Sequence, residues 1–289
     1  MTFTDPHIHF FALSQGHYDW LKSANPPFWK DKDAIAVPVN EIDLRRAGRH
    51  RLASFVHIEA GFDNAQPWRE IQYLNAHCTL PFKAVGAIDL LSVDALSHID
   101  ALNSLTSVVG LRHILDGQAK EILTHPKAKH TLNAMANRQL SFDAQFDVSD
   151  SDAVKALLNI LDYSPTLRVV INHAGEAPLC GSKAGSLRFK RWRQHIQLLG
   201  THERVAIKMS GWEMQDRRWQ RDAVSRIIHD LLEQVADDKL MFASNFPLCQ
   251  WRTSYHTLWQ FYGSLVERMP PDSQQRVLSD NASRWYRMT

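Results

Sequence analysis

Cysteine is scarce: Cys78, Cys180 and Cys249 lie far apart, with no C-x-x-C spacing. That excludes a disulfide framework and a thiolate metal cluster, and it fits a reducing, cytoplasmic compartment. A surplus of either charge is missing too. The 33 Lys and Arg against 31 Asp and Glu leave a formal net charge of +2, so no field exists to gather nucleic acid or an anionic membrane, and neither is expected as a partner. Nowhere do about 18 apolar residues run together, and Asp5, His7 and His9 interrupt the N-terminal run, so neither a membrane span nor an export signal is expected. The absence of low-complexity tracts and of a fixed-period repeat excludes solenoids and propellers. What remains, at 289 residues and 44% hydrophobic, is a globular chain that can bury a large core. Its length suits either two ordinary domains or one α/β barrel.

The pattern decides between them. Short apolar or β-branched runs occur at Thr2 to His9, Ala53 to Glu59, Phe82 to Ile88, Val108 to Ile114, Leu140 to Phe146, Leu167 to His173, Arg204 to Met209 and Leu240 to Ser244. Helical spacing lies between them. Val154, Leu157, Leu158 and Leu161 follow the fifth run, Val224, Ile227, Ile228, Leu231 and Val235 the seventh, and Leu258, Phe261, Tyr262 and Leu265 the eighth. Strand and helix alternating eight times, with no long Pro/Gly linker, predict a single (β/α)8 TIM barrel domain over residues 1–289. The segment from Ser14 to Pro38, rich in Trp, Pro, Asn and Asp, is too long and irregular for an ordinary βα loop and is expected to fold over the barrel mouth as a lid.

Fifteen His and nine Trp exceed the needs of a core and suit a pocket that binds and reacts with a small molecule. Alternation along the first strand predicts that Asp5, His7 and His9 point one way, toward the barrel mouth. Two imidazoles and a carboxylate at that spacing either bind a divalent ion or orient a substrate carboxylate. The same parity puts Phe55, His57 and Glu59 on one face of the second strand, so that His57 and Glu59 join the mouth. Of Arg112 and His113 at the fourth strand's end, whichever faces the lumen offers a donor to a carboxylate or carbonyl oxygen. The fifth strand carries Asp143 and Gln145 on one side. The sixth is apolar until His173, where a buried strand opens into a functional loop. Lys208 of the seventh is either a pocket cation or a residue that snorkels outward. Asn245, beyond the eighth, can hydrogen-bond a substrate or a water, but its amide cannot accept a proton at neutral pH. Trp20 and Trp29, near the lid, suit the covering of a flat ring.

Four motifs in order, Asp5-Pro6-His7-Ile8-His9, Ile171-Asn172-His173-Ala174-Gly175, Lys208-Met209-Ser210-Gly211 and Ala243-Ser244-Asn245-Phe246-Pro247, resemble the amidohydrolase superfamily. Within it they are similar to the TIM-barrel lactone hydrolases, the branch of sugar-acid lactonases and 2-pyrone-4,6-dicarboxylate lactonase. The resemblance implies a hydrolase that opens a carboxylated or sugar-derived lactone by water attack, at a site built from His7, His9, His173 and Asn245. It implies His7, His9 and His173 as ligands of one divalent metal, zinc or manganese, or else a metal-independent site as in some branch members. The superfamily typically has an Asp at the last position, binding metal and taking the proton of the attacking water. Asn245 is a departure, which leaves Glu59, Asp143 and Asp5 as acidic candidates for the proton acceptor. His57, Arg112, His113, Lys208 and Trp20 are the expected substrate contacts. A lyase or amide hydrolase of the superfamily, and an idle ligand-binding barrel, are the competing expectations.

Overall fold

Eight strands pair side by side in chain order, all parallel: β1 (Phe3–Ile8), β2 (Leu52–Ile58), β3 (Phe82–Ala87), β4 (Val108–Ile114), β5 (Ser141–Gln145), β6 (Val169–Ile171), β7 (Val205–Met209) and β8 (Leu240–Phe242). The structure is a computed structural model, and it describes residues 2–48, 51–179 and 186–288; Cys180 lies outside them. Each strand falls within or beside the run expected for it. The sheet is a nearly closed barrel. A parallel bridge between Ile8 and Phe246 joins its two edges, with the His9 N–H donating to the Phe246 carbonyl (2.7 Å) and the Asn245 N–H to the His7 carbonyl (3.0 Å).

Helices α1 (Glu41–Gly48), α2 (Trp68–His77), α3 (Ala95–Asn103), α4 (Ala119–Thr124), α5 (Pro126–Asn137), α6 (Ser151–Tyr163), α7 (Leu187–Thr201), α8 (Trp212–Gln215), α9 (Arg221–Gln234), α10 (Tyr255–Val266), α11 (Pro271–Gln275) and α12 (Asn281–Trp285) fill the connections and the C-terminal segment. The apolar stripes place them. In α6, Val154, Leu157 and Leu161 are buried, and the Asp150 carboxylate caps the first turn by accepting from the Asp152 and Ala153 N–H groups. Among the described residues no helix is long and apolar enough to cross a membrane.

The strands are buried on both faces, and the two faces pack separately. Phe55, Ala84, Leu111, Phe142, Ile171, Ile207 and Phe242 join the core under the helices. Val56, Ile58, Val85, Val109, Val170, Ala206 and Met241 form a second core with Ala282, Trp285 and Tyr286. The C-terminal segment thus plugs the N-terminal end of the barrel: Thr4 Oγ1, near the start of β1, lies 3.1 Å from Ser279 Oγ. Above the plug the filling becomes polar. Tyr286 donates its hydroxyl to Asp143 (2.9 Å), and Asp143 is ion-paired with Lys208 (2.6 Å), both charges lying wholly out of solvent. A buried ion pair is tolerated only when its remaining hydrogen-bonding capacity is met, and the tyrosine meets part of it. Replacing Tyr286 by Phe removes one donor to a buried carboxylate and should cost about 1.5–3 kcal/mol of unfolding free energy. Denaturant titration of Tyr286→Phe against the parent chain measures this; an unchanged midpoint and slope would show that the carboxylate does not need the hydroxyl.

Candidate active site

At the C-terminal ends of the strands, where a barrel's loops converge, a cleft of about 850 Å³ opens. Its floor and walls include His9, Glu59, Arg112, Gln145, His173 and Asn245, and Trp20, Pro26, Pro27 and Trp29 cover one side. The last four belong to the segment expected as a lid. Its ends meet in a two-way backbone pairing of Phe11 with Val39 (2.9 and 3.0 Å). The buried Lys32 ammonium donates to the Lys22 and Asn25 carbonyls (3.0 and 2.7 Å) and braces the interior of the loop. Trp20 donates its indole N–H to the Ala60 carbonyl (2.7 Å), which ties the segment to the loop after β2.

Hydrogen-bond directions define the state of each imidazole. His9 Nδ1 lies 2.8 Å from the Ile58 carbonyl; a carbonyl only accepts, so Nδ1 carries the proton and Nε2 keeps a lone pair. That Nε2 faces Asn245 Oδ1 at 3.3 Å, while Asn245 Nδ2 donates to Glu213 Oε1 (2.6 Å). His7 Nδ1 lies 3.4 Å from Lys208 Nζ, which can only donate, and His7 Nε2 is buried without a partner. His173 Nδ1 lies 3.1 Å from the Ser210 hydroxyl. The His7 ring centroid is 5.0 Å from that of His9 and 4.6 Å from that of His173.

Burial keeps all three rings neutral. It holds the proton affinity of His7 and His9 well below the ordinary histidine value, helped by Lys208 at His7 and by Arg112 at His9. His173 is pushed down to about 3, again by burial first and by Arg112 second. Lys208 falls to about 8 through burial, against the pull of Asp143. Arg112 donates from Nε to Glu59 Oε1 (2.8 Å) and from Nη2 to the Glu59 carbonyl (2.9 Å), so much of its charge is already matched. Burial nonetheless raises the proton affinity of Glu59 above its ordinary value. It also lifts Glu213 and Glu176 to about 7, with Asp116 and Asp147 adding to the rise at Glu176.

Several residues expected at the mouth lie elsewhere. Asp5 does not share a face with His7, because the register of β1 against β2 shifts between Asp5 and Ile8; its carboxylate accepts from the Tyr255 hydroxyl of α10 (2.9 Å) and the Ser244 N–H (3.1 Å). His57 belongs with Phe55 to the outer face and pairs with Glu70 of α2 (2.9 Å). Glu59, one residue past β2, turns to the cleft. His113 faces away from Arg112 and accepts from the Leu90 N–H (3.1 Å). Asp143 and Lys208 point into the lumen but lie wholly buried and do not line the cleft. Glu213 and Glu176, beside the site, have no strand parity in the sequence: Glu213 lies on the one-turn helix α8 and Glu176 in the loop after β6, although each follows closely on one of the four motifs. Ser210, which alternation places on the face of Lys208, brings its hydroxyl to His173.

A divalent metal fits these residues poorly. Among the described residues no three His, Cys, Asp or Glu side chains are arranged to hold one. The nearest set, the His7, His9 and His173 rings, has the neutral form in which imidazole binds metal, but no anionic donor joins it: Asn245 brings an amide, the Asp5 carboxylate is turned away and the Lys208 ammonium stands beside His7. No step of the chemistry below runs through a metal.

His173, Ala174, Gly175 and Glu176 all adopt positive φ (54°, 51°, 60° and 55°), a left-handed run that L-residues avoid. Gly211 (φ 71°) makes room for it: a Cβ there would come within 2.3 Å of His173 Nδ1. Gly211→Ala should therefore displace the His173 ring and lower kcat by about 10²-fold, the scale for losing one positioned catalytic group, with the circular dichroism of the parent. A variant of parental turnover would show that His173 does not need its present position.

Residues 4–288 match the family described as Amidohydrolase. An uncharacterised protein, y4mH, of Sinorhizobium fredii is 26% identical over 98% of both chains. An L-fucono-1,5-lactonase of Burkholderia ambifaria is 24% identical, with 100% of this chain and 97% of that protein aligned. The crystal structure of an amidohydrolase from Burkholderia multivorans, determined with bound HEPES and, in another crystal form, with bound zinc, superposes over the whole of both chains with a TM-score of 0.84 at 17% identity. With a family match that runs almost from end to end, this chain belongs to the amidohydrolase family.

Proposed function

We propose that this amidohydrolase opens the ring of a neutral, hydroxyl-rich lactone, a sugar-derived lactone in kind. The observation that carries the reading is the pair His9 Nε2 and Asn245 Oδ1, two acceptors 3.3 Å apart on residues that line the cleft, with no donor of their own between them. A water molecule satisfies both by donating one hydrogen to each, and its oxygen lone pairs then point away from them toward a bound carbonyl carbon. As the water oxygen bonds to that carbon, its proton passes to His9 Nε2. The imidazolium so formed has acceptors for both N–H groups, the Ile58 carbonyl and Asn245 Oδ1. When the ring C–O bond breaks, His9 returns the proton to the departing alkoxide oxygen, giving a hydroxy acid that ionises in water. The carbonyl oxygen's growing charge meets Arg112 and His173, which the Ser210 hydroxyl holds in place. Glu59 serves this step by orienting Arg112 rather than by taking the proton, and Asp143 acts from below through Lys208.

The cleft's charge supports the substrate class. Arg112 is the only Lys or Arg among the described residues that line it, and Glu59 already pairs with it (2.7 Å). Asp116, Asp147 and Glu176 also line it, Asp147 being paired with Arg188 at 2.9 Å. A dicarboxylate would meet like charge there without a free cation among the described residues. Sugar hydroxyls instead find acceptors in these carboxylates and partners in the Asn64, Gln145 and Gln215 amides, and the Trp20 and Trp29 rings suit the apolar face of a sugar. The lactonase of Burkholderia ambifaria, aligned over nearly its whole length, agrees with this class. The segment over the mouth then acts as the wall that excludes water.

Purified protein should hydrolyse neutral aldonolactones with a kcat/KM at least about tenfold above that for dicarboxylated lactones, the worth of one unmatched charge contact of about 1.4 kcal/mol. Dialysis against a chelator should leave that activity within about twofold of the untreated sample. His9→Gln should lower kcat by about 10²-fold or more, the usual contribution of a positioned base. A preference for the dicarboxylates, or activity restored only by added zinc or manganese, would overturn the substrate class or the metal-free chemistry respectively.

A further inference from the structure

The Glu213 carboxyl is 1% exposed, carried by the short helix α8 directly after Gly211, and among the described residues of the site its side-chain hydrogen-bond partner is the Asn245 amide at 2.6 Å. An amide has two unlike ends. An ionised carboxylate accepts and cannot donate, so above a pH of about 7, where Glu213 is charged, the end facing Glu213 is Nδ2 and the end facing His9 is Oδ1. The reverse orientation would set Oδ1 against the carboxylate and make Nδ2 donate to His9 Nε2, occupying the lone pair that the proposed chemistry needs. We infer that Glu213 is a positioning residue that selects the orientation of the Asn245 amide and so keeps the His9 lone pair open. The inference rests on the reading of His9 as proton acceptor.

The place of Glu213 is itself well anchored. Arg217 donates to the Glu213 carbonyl, pairs with Asp31 (2.8 Å) and lies over the Trp251 ring (3.7 Å) and beside that of Trp29 (5.1 Å). The turn that presents the carboxylate is thus fastened to the segment covering the cleft. The cost of leaving a buried amide hydrogen unpaired makes the alternative concrete: without Glu213, Nδ2 gains a partner by turning to His9.

Four variants of the full chain test this: Glu213→Leu, Glu213→Gln, Asn245→Asp and Glu213→Leu with Asn245→Asp. Glu213→Leu should lower kcat by about tenfold or more, less than the roughly 10²-fold for losing the base outright because the base itself stays in place, with KM within about threefold. Glu213→Gln, whose amide either accepts from or donates to Asn245, should fall between Leu and the parent. Adding Asn245→Asp to Glu213→Leu should restore kcat, because both oxygens of an aspartate accept and no wrong orientation exists. A double variant as impaired as Glu213→Leu would show a merely structural role and overturn the inference. Should Glu213→Leu fail to fold, the same rescue is read on Glu213→Gln. Histidine 15N resonances, assigned with His9→Gln, give a readout independent of turnover: the His9 Nε2 signal should move upfield in Glu213→Leu and return in the double variant. An unmoved signal overturns the inference. A moved signal in a protein that opens no lactone upholds the orientation and sinks the proposed function instead.

Discussion

Two backbone hydrogen bonds close the barrel at the same height as the cleft. The Asn245 N–H donates to the His7 carbonyl and the His9 N–H to the Phe246 carbonyl, so the first strand and the continuation of the last are joined through residues of which His9 and Asn245 line the cleft. β8 is short, and without this seam its end would be free to drift from β1. With it, the separation of His9 from Asn245 is fixed by main chain, and only the direction of one amide is left for side chains to decide. The placement of two acceptors side by side on the cleft wall follows from that closure.

Below the seam, a column of polar groups runs through a lumen that is otherwise apolar. Tyr286 reaches up from the C-terminal plug to Asp143, Asp143 holds Lys208, and Lys208 approaches His7. Each link has a direction: hydroxyl to carboxylate, ammonium to carboxylate, ammonium to imidazole. Burial lowers the proton affinity of Lys208, yet Asp143 opposes that fall, and the cation in turn helps to keep His7 neutral. The ion pair contributes little stability for its cost of desolvation. Its effect is on the protonation of the floor.

Strand order, the alternation with helices and the strand-end placement of Arg112, His173 and Asn245 could be read from the sequence because each rests on local pattern. Which face of a strand looks inward could not. In a parallel barrel both faces are buried, so His57 beside Val56 and Ile58 reads equally well either way, and only the packing of α2 with its Glu70 settles that His57 points out. Asp5 departs from its expected face for a related reason: alternation holds only while the register does, and β1 shifts between Asp5 and Ile8. Glu213, on the one-turn helix α8, has no strand parity to read, and its place beside the site appears only through its partner 32 positions away, the Asn245 amide, which needs an acceptor.

The segment over the cleft leaves and returns at a single pairing, Phe11 with Val39, and much of its bracing, Lys32 on the carbonyls of Lys22 and Asn25, is internal. Its two ends are therefore neighbours on the barrel whatever lies between them. Lengthening or replacing the interior alters the shape presented to a substrate while adding little to the entropy of closing the loop, which grows only slowly with its length. A barrel built this way can present a different wall to a substrate by exchange of one cassette, with the strand-end side chains beneath left in place.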